Sequence, residues 1–119
     1  MIKIHYIIVE MYNKIYYPYP ATDNKHKFFI ITAEGHKVNF GSAKNNDYTI
    51  YYRDYGKEIA DKKKQAYIAR HSKLNEKWGR DGINTSGYYA RWLLWEEPTI
   101  EASYKKIREK LVKWGVITK

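Results

Sequence analysis

The chain has 119 residues, the length of one compact domain, and 44% of them are hydrophobic, which argues for a packed core and against disorder. It contains no cysteine, so a disulfide framework, a thiol nucleophile and a thiolate metal site are all excluded. Its formal net charge of +9 points to phosphate polyanions, anionic membranes or acidic protein faces as partners.

Met1 to Tyr12 alternates loosely, with Ile2, Ile4, Tyr6 and Ile8 on one side and Ile7, Val9 and Met11 on the other. That pattern predicts a first strand. The apolar run is too short to span a membrane and has no small-residue cleavage site, so neither a membrane span nor a signal peptide is expected. Tyr16-Tyr17-Pro18-Tyr19-Pro20 then breaks the strand, because two prolines favour an extended loop over a central strand position. Tyr16, Tyr17 and Tyr19 either lie back over the sheet or serve as aromatic anchors for a protein partner.

Phe28 to Thr32 and His36 to Phe40 flank Ala33-Glu34-Gly35 and read as a hairpin. Gly41 to Asn46 is a polar loop without the Gly-Lys-Ser/Thr ending of a phosphate-binding loop. Asp47 to Arg53 is rich in Tyr, Thr and Ile and is read as a fourth strand. From Lys57 to Lys73 the pattern turns helical, with Ile59, Ala60, Ala66, Tyr67, Ile68 and Leu74 as the packing face. Lys62, Lys63, Lys64, Arg70 and Lys73 give this segment a positive field, either a solvated face or a set of contacts to phosphate or an acidic partner.

After a glycine-containing loop in which Trp78 should fold inward, Thr85 and Ser86 can cap a short helix that Pro98 closes. Tyr88, Trp92 and Trp95 fall on one of its faces and Tyr89 and Leu93 on another, so this helix should be contacted on several sides and anchor the core. Its one charge, Arg91, needs an edge or a carboxylate. A final helix starts at Thr99, carries Ile100, Tyr104, Ile107, Leu111 and Trp114 as an amphipathic stripe, and stops at Gly115. Together these elements predict one α+β domain over residues 1–119: a small, mostly antiparallel sheet in the N-terminal half, covered by two or three helices in the C-terminal half.

His5, His26, His36 and His71 sit on different predicted elements without HExxH or HxH spacing, so no metal site and no cofactor is expected. Arg70, His71 and Glu76 can be drawn as an acid–base group, a reading that requires them to converge in a pocket. No nucleophile elbow, phosphate loop or paired-carboxylate motif accompanies them, and no catalytic residue is assigned.

Lys37-Val38-Asn39-Phe40-Gly41, Asp47-Tyr48-Thr49, Arg70-His71, Trp78, Gly82-Ile83-Asn84-Thr85 and Gly87-Tyr88-Tyr89-Ala90-Arg91-Trp92-Leu93-Leu94-Trp95 occur in that order. In order and spacing the stretch from about Phe28 to Leu111 resembles an uncharacterised family of small proteins from large DNA viruses. The resemblance implies a viral source, located in the virion or the infected-cell cytoplasm. With it, the leading expectation is a virion-associated structural protein, a minor capsid or cement-type component that meets virion proteins through aromatic and basic surfaces. The alternative is a nucleic-acid-binding accessory protein using Lys62, Lys63, Lys64, Arg70 and Lys73. A small nucleic-acid-processing enzyme built around Arg70, His71 and Glu76 comes third.

Overall fold

Phe28, Ile30, Val38 and Phe40 alternate along two strands and give the sheet the apolar face on which the helices pack. In the computed structural model, which describes residues 12–118, β1 is Tyr19–Pro20, β2 is His26–Ile31 and β3 is Lys37–Ser42, all antiparallel in the order β1-β2-β3. Phe28 faces Phe40 and Ile30 faces Val38 across the hairpin, so their side chains share one face. The predicted strand over Met1 to Tyr12 lies, apart from Tyr12 itself, outside the described residues.

The opposite face is covered by tyrosines. Phe29 is 1% exposed because the Tyr12 and Tyr19 rings pack over it, 5.1 and 5.7 Å away between centroids. Tyr17 meets the edge of Tyr104, and Tyr16, at φ 60°, is buried in the core. The loop expected to be wholly irregular thus lends Tyr19–Pro20 to the sheet as an edge strand, where proline's missing N–H costs no ladder bond.

Asp47 to Arg53 is not a fourth strand. Helix α1 spans Tyr48–Tyr55, and Asp47 caps it, accepting the N–H groups of Thr49 and Ile50 at 2.9 and 3.3 Å. The tyrosines suggest a strand by composition, but Tyr48, Tyr51, Tyr52 and Tyr55 recur at i, i+3, i+4 and i+7, a helical stripe. Asp47 also takes the Lys27 ammonium at 2.5 Å in a nearly buried pair, tying the start of α1 to β2.

Helix α2, Lys57–His71, turns Ala60, Tyr67 and Ile68 inward. Ile59 and Leu74, expected on that packing face, are 43% and 65% exposed. Helix α3, Ser86–Tyr89, is capped by Thr85 and runs directly into a π turn at Ala90–Leu94. Widening the turn lets Arg91, Leu93 and Leu94 all be buried, which a regular helix with one apolar stripe would not allow. Gly41, at φ +76°, makes room for this segment: a Cβ there would lie 2.6 Å from Leu94. Helix α4, Ile100–Lys113, buries Ser103, Ile107 and Leu111 beneath the predicted stripe, and the Val116 N–H returns to the Leu111 carbonyl at 2.9 Å to end it.

The described residues therefore form an antiparallel sheet followed by four α-helices, one of them replacing the expected fourth strand. Glu96 ties the helical half together. Its carboxylate accepts Arg91 and Lys106, each at 3.0 Å, and its backbone carbonyl accepts Lys64 at 2.7 Å.

Candidate functional site

Helix α2 presents Lys63, Ala66, Tyr67, Arg70 and His71 at i, i+3, i+4, i+7 and i+8, so one helical face forms one wall of a cleft of about 990 Å³. The facing wall comes from the sheet: Lys25, His26 and Lys27 at the start of β2, then Gly41 to Asp47. A backbone bond of 3.0 Å from the Ala43 N–H to the Lys25 carbonyl joins these two segments and sets Lys44 beside the β2 lysines. Trp95, Leu94 and Gly87, from the helix expected to anchor the core, complete the lining.

The cleft is cationic. Lys25, Lys27, Lys44, Lys63 and Arg70 line it against two carboxylates, Asp47 and Glu76. Both carboxylates are already engaged, Asp47 by Lys27 and the α1 cap, Glu76 by His71. Lys25, Lys44, Lys63 and Arg70 are exposed, and no salt bridge among the described residues uses them. Four cations without a carboxylate partner among the described residues, Lys63 standing 5.3 Å from the Tyr51 ring centroid, focus a positive potential in one concavity.

Two imidazoles line the cleft, each held through Nδ1 by a carboxylate. His26 lies 2.6 Å from Asp23, which also accepts the N–H groups of Lys25 and His26. Hydrogen bonds from the His26 ring and from those two N–H groups hold the Asp23 carboxyl well below the usual carboxylate range. His71 lies 2.6 Å from Glu76, and its ring packs 4.2 Å from that of Tyr67. Tyr67 in turn stacks on Trp95 at 4.4 Å, with the two planes 6° apart. Burial pushes the Tyr67 phenol far up, with the Glu76 charge adding to the shift, so the hydroxyl stays protonated.

Of the cations singled out from sequence, Lys63 and Arg70 reach the cleft. Lys64 does not: it is half-buried against Glu96 and stands 4.6 Å from the Tyr48 ring centroid. Lys62 is solvent-facing, 3.9 Å from Glu58, and Lys73 lies on the 3₁₀ turn after α2. Tyr16, at 1% exposed, cannot anchor a partner, and Tyr17 and Tyr19 are half-buried against the protein itself. Sequence reasoning missed Lys25, Lys27 and Lys44. Their signal was the short Lys25-His26-Lys27 run and a basic residue in the polar loop, segments made neighbours only by strand pairing. Arg70, His71 and Glu76, proposed as a group from sequence, do line the same cleft.

Among the described residues no helix is long and apolar enough to cross a membrane, and no group of three or more His, Asp or Glu is placed to hold a metal ion. Comparison with protein-family models, with curated proteins and with solved structures finds no match for this chain.

Proposed function

We propose that the chain is a nucleic-acid-binding protein that takes the phosphate backbone into the cleft between α2 and the sheet. One observation carries this reading: Lys25, Lys44 and the α2 pair Lys63 and Arg70, from three separate segments, stand around one concavity in which both carboxylates are already engaged. A solvated helix face would leave its lysines scattered; here two walls direct them to a common space. Lys and Arg in such a setting neutralise phosphates and release condensed counterions, which supplies sequence-independent affinity. The resemblance to a viral family supports the virion as the setting for this binding, and mass spectrometry of purified particles tests that setting separately.

Titration of the full chain with single-stranded nucleic acid over a salt series tests the binding. Four phosphate contacts should give log K falling against log salt with a slope of about −3. Replacing Lys63 or Arg70 by Ala should make the slope shallower by about 0.7 each, while Lys62→Ala, outside the cleft, should change it little. Absence of binding at low salt would reject the proposal.

A further inference from the structure

We infer that the same cleft cleaves RNA, with His71 as the base that activates the 2′-hydroxyl; the inference rests on the nucleic-acid reading above. Phosphate binding needs cations only. It does not account for an imidazole held at one edge and on one face inside the cationic cleft. Glu76 takes Nδ1 at 2.6 Å, Tyr67 packs on the ring face, and Trp95 backs Tyr67. Gly87 leaves room for this carboxylate, because a Cβ at that position would lie 2.4 Å from Glu76 Oε1 and force the side chain to shift.

A carboxylate on Nδ1 holds the proton of the neutral ring there and leaves Nε2 as the basic nitrogen. Nε2 in that state is free to accept a proton from a group bound in the cleft. Arg70 adjoins His71 in sequence, and Lys63 lies two turns earlier on the same face, so the cations that would hold a phosphodiester line the space His71 lines. RNA brings its own nucleophile. Nε2 takes the 2′-hydroxyl proton, O2′ bonds to phosphorus, and the P–O5′ bond breaks with its electron pair on O5′. Solvent protonates O5′, and the hydroxide so formed takes the proton back from the imidazolium. The products are a 2′,3′-cyclic phosphate and a free 5′-hydroxyl, with no other reactant consumed. DNA lacks the 2′-hydroxyl, so it should be bound and left intact.

The test uses the full chain, a single-stranded RNA, and its 2′-O-methyl counterpart as an uncleavable ligand. Wild type should cut the RNA to cyclic-phosphate ends. H71Q should cut about 10² to 10⁴ times more slowly while binding the 2′-O-methyl strand as wild type does. E76Q, which keeps the imidazole but removes its positioning carboxylate charge, should lower kcat with KM unchanged; it also decides the matter if H71Q fails to fold. H36Q, at the exposed hairpin turn outside the cleft, should match wild type. RNA that is bound but cut no faster by wild type than by H71Q and E76Q overturns the cleavage inference alone. Failure to bind the 2′-O-methyl strand at low salt overturns the binding reading, and cleavage with it.

Discussion

Tyr88 and Tyr89 are adjacent, both 0% exposed, and differ in what their hydroxyls do. Tyr89 donates to the Ile83 carbonyl at 2.6 Å, whereas the Tyr88 hydroxyl has no hydrogen-bond partner among the described residues. Burial pushes the Tyr88 phenol up to about 12, consistent with a group stripped of water and given nothing in exchange. Removing an orphaned hydroxyl relieves a desolvation penalty, but removing a bonded one leaves its acceptor stranded. Tyr88→Phe should therefore be neutral or stabilising by up to about 1 kcal/mol, and Tyr89→Phe should cost about 1–2 kcal/mol. Urea unfolding of the two variants reads the difference directly, and equal losses would show that the Tyr88 hydroxyl is solvated after all.

At the scale of elements, Glu96 joins α2, the π turn and α4 through Lys64, Arg91 and Lys106. Burial alone would raise its carboxyl, but the hydrogen bonds from Lys106 and Arg91 outweigh that and leave its pKa below the usual value. A depressed folded-state value means that the ionised carboxylate contributes stability above its unfolded pKa of about 4.3, and that this contribution is lost as pH falls through the lower folded value. Glu96→Gln should cost about 2–3 kcal/mol at neutral pH, because Arg91 is buried and loses its counter-charge. The gap between wild type and variant should stay constant down to about pH 5 and close in stronger acid. A gap that does not change with pH would mean that shape and not charge is at stake.

The same scale shows where residue order suffices and where it does not. Helix α4 was legible because its stripe, its Thr99 cap and its Gly115 stop are all local in sequence. Helix α1 was equally legible in spacing, yet β-branched and aromatic composition outweighed the Tyr48, Tyr51, Tyr52, Tyr55 period and the Asp47 cap. The α2 wall of the cleft could be read from Lys63 and Arg70, seven residues apart on one helix. The opposite wall could not, since Lys25 and Lys44 meet only through strand register, a non-local property. Lys64 was misassigned because its partner, Glu96, lies 32 residues away.

For the whole molecule, the net charge of +9 has two possible consequences that differ in address. If the excess were spread evenly, any polyanion would be held weakly wherever it touched, and removing any two exposed lysines would matter alike. If the cleft gathers it, binding and the stabilisation that accompanies binding depend on Lys63 and Arg70 and not on Lys62 and Lys73. A ligand that binds only the folded state at about 100 times its Kd adds about 2.7 kcal/mol. For a chain of this size that corresponds to a rise in Tm of about 10 °C. Thermal unfolding with excess single-stranded nucleic acid at low salt should show that rise for wild type and for the Lys62→Ala/Lys73→Ala double variant. Most of it should disappear in Lys63→Ala/Arg70→Ala, although each double variant removes two positive charges. Equal losses in the two would place the affinity in bulk charge, and the cleft would then be a concavity without a ligand of its own.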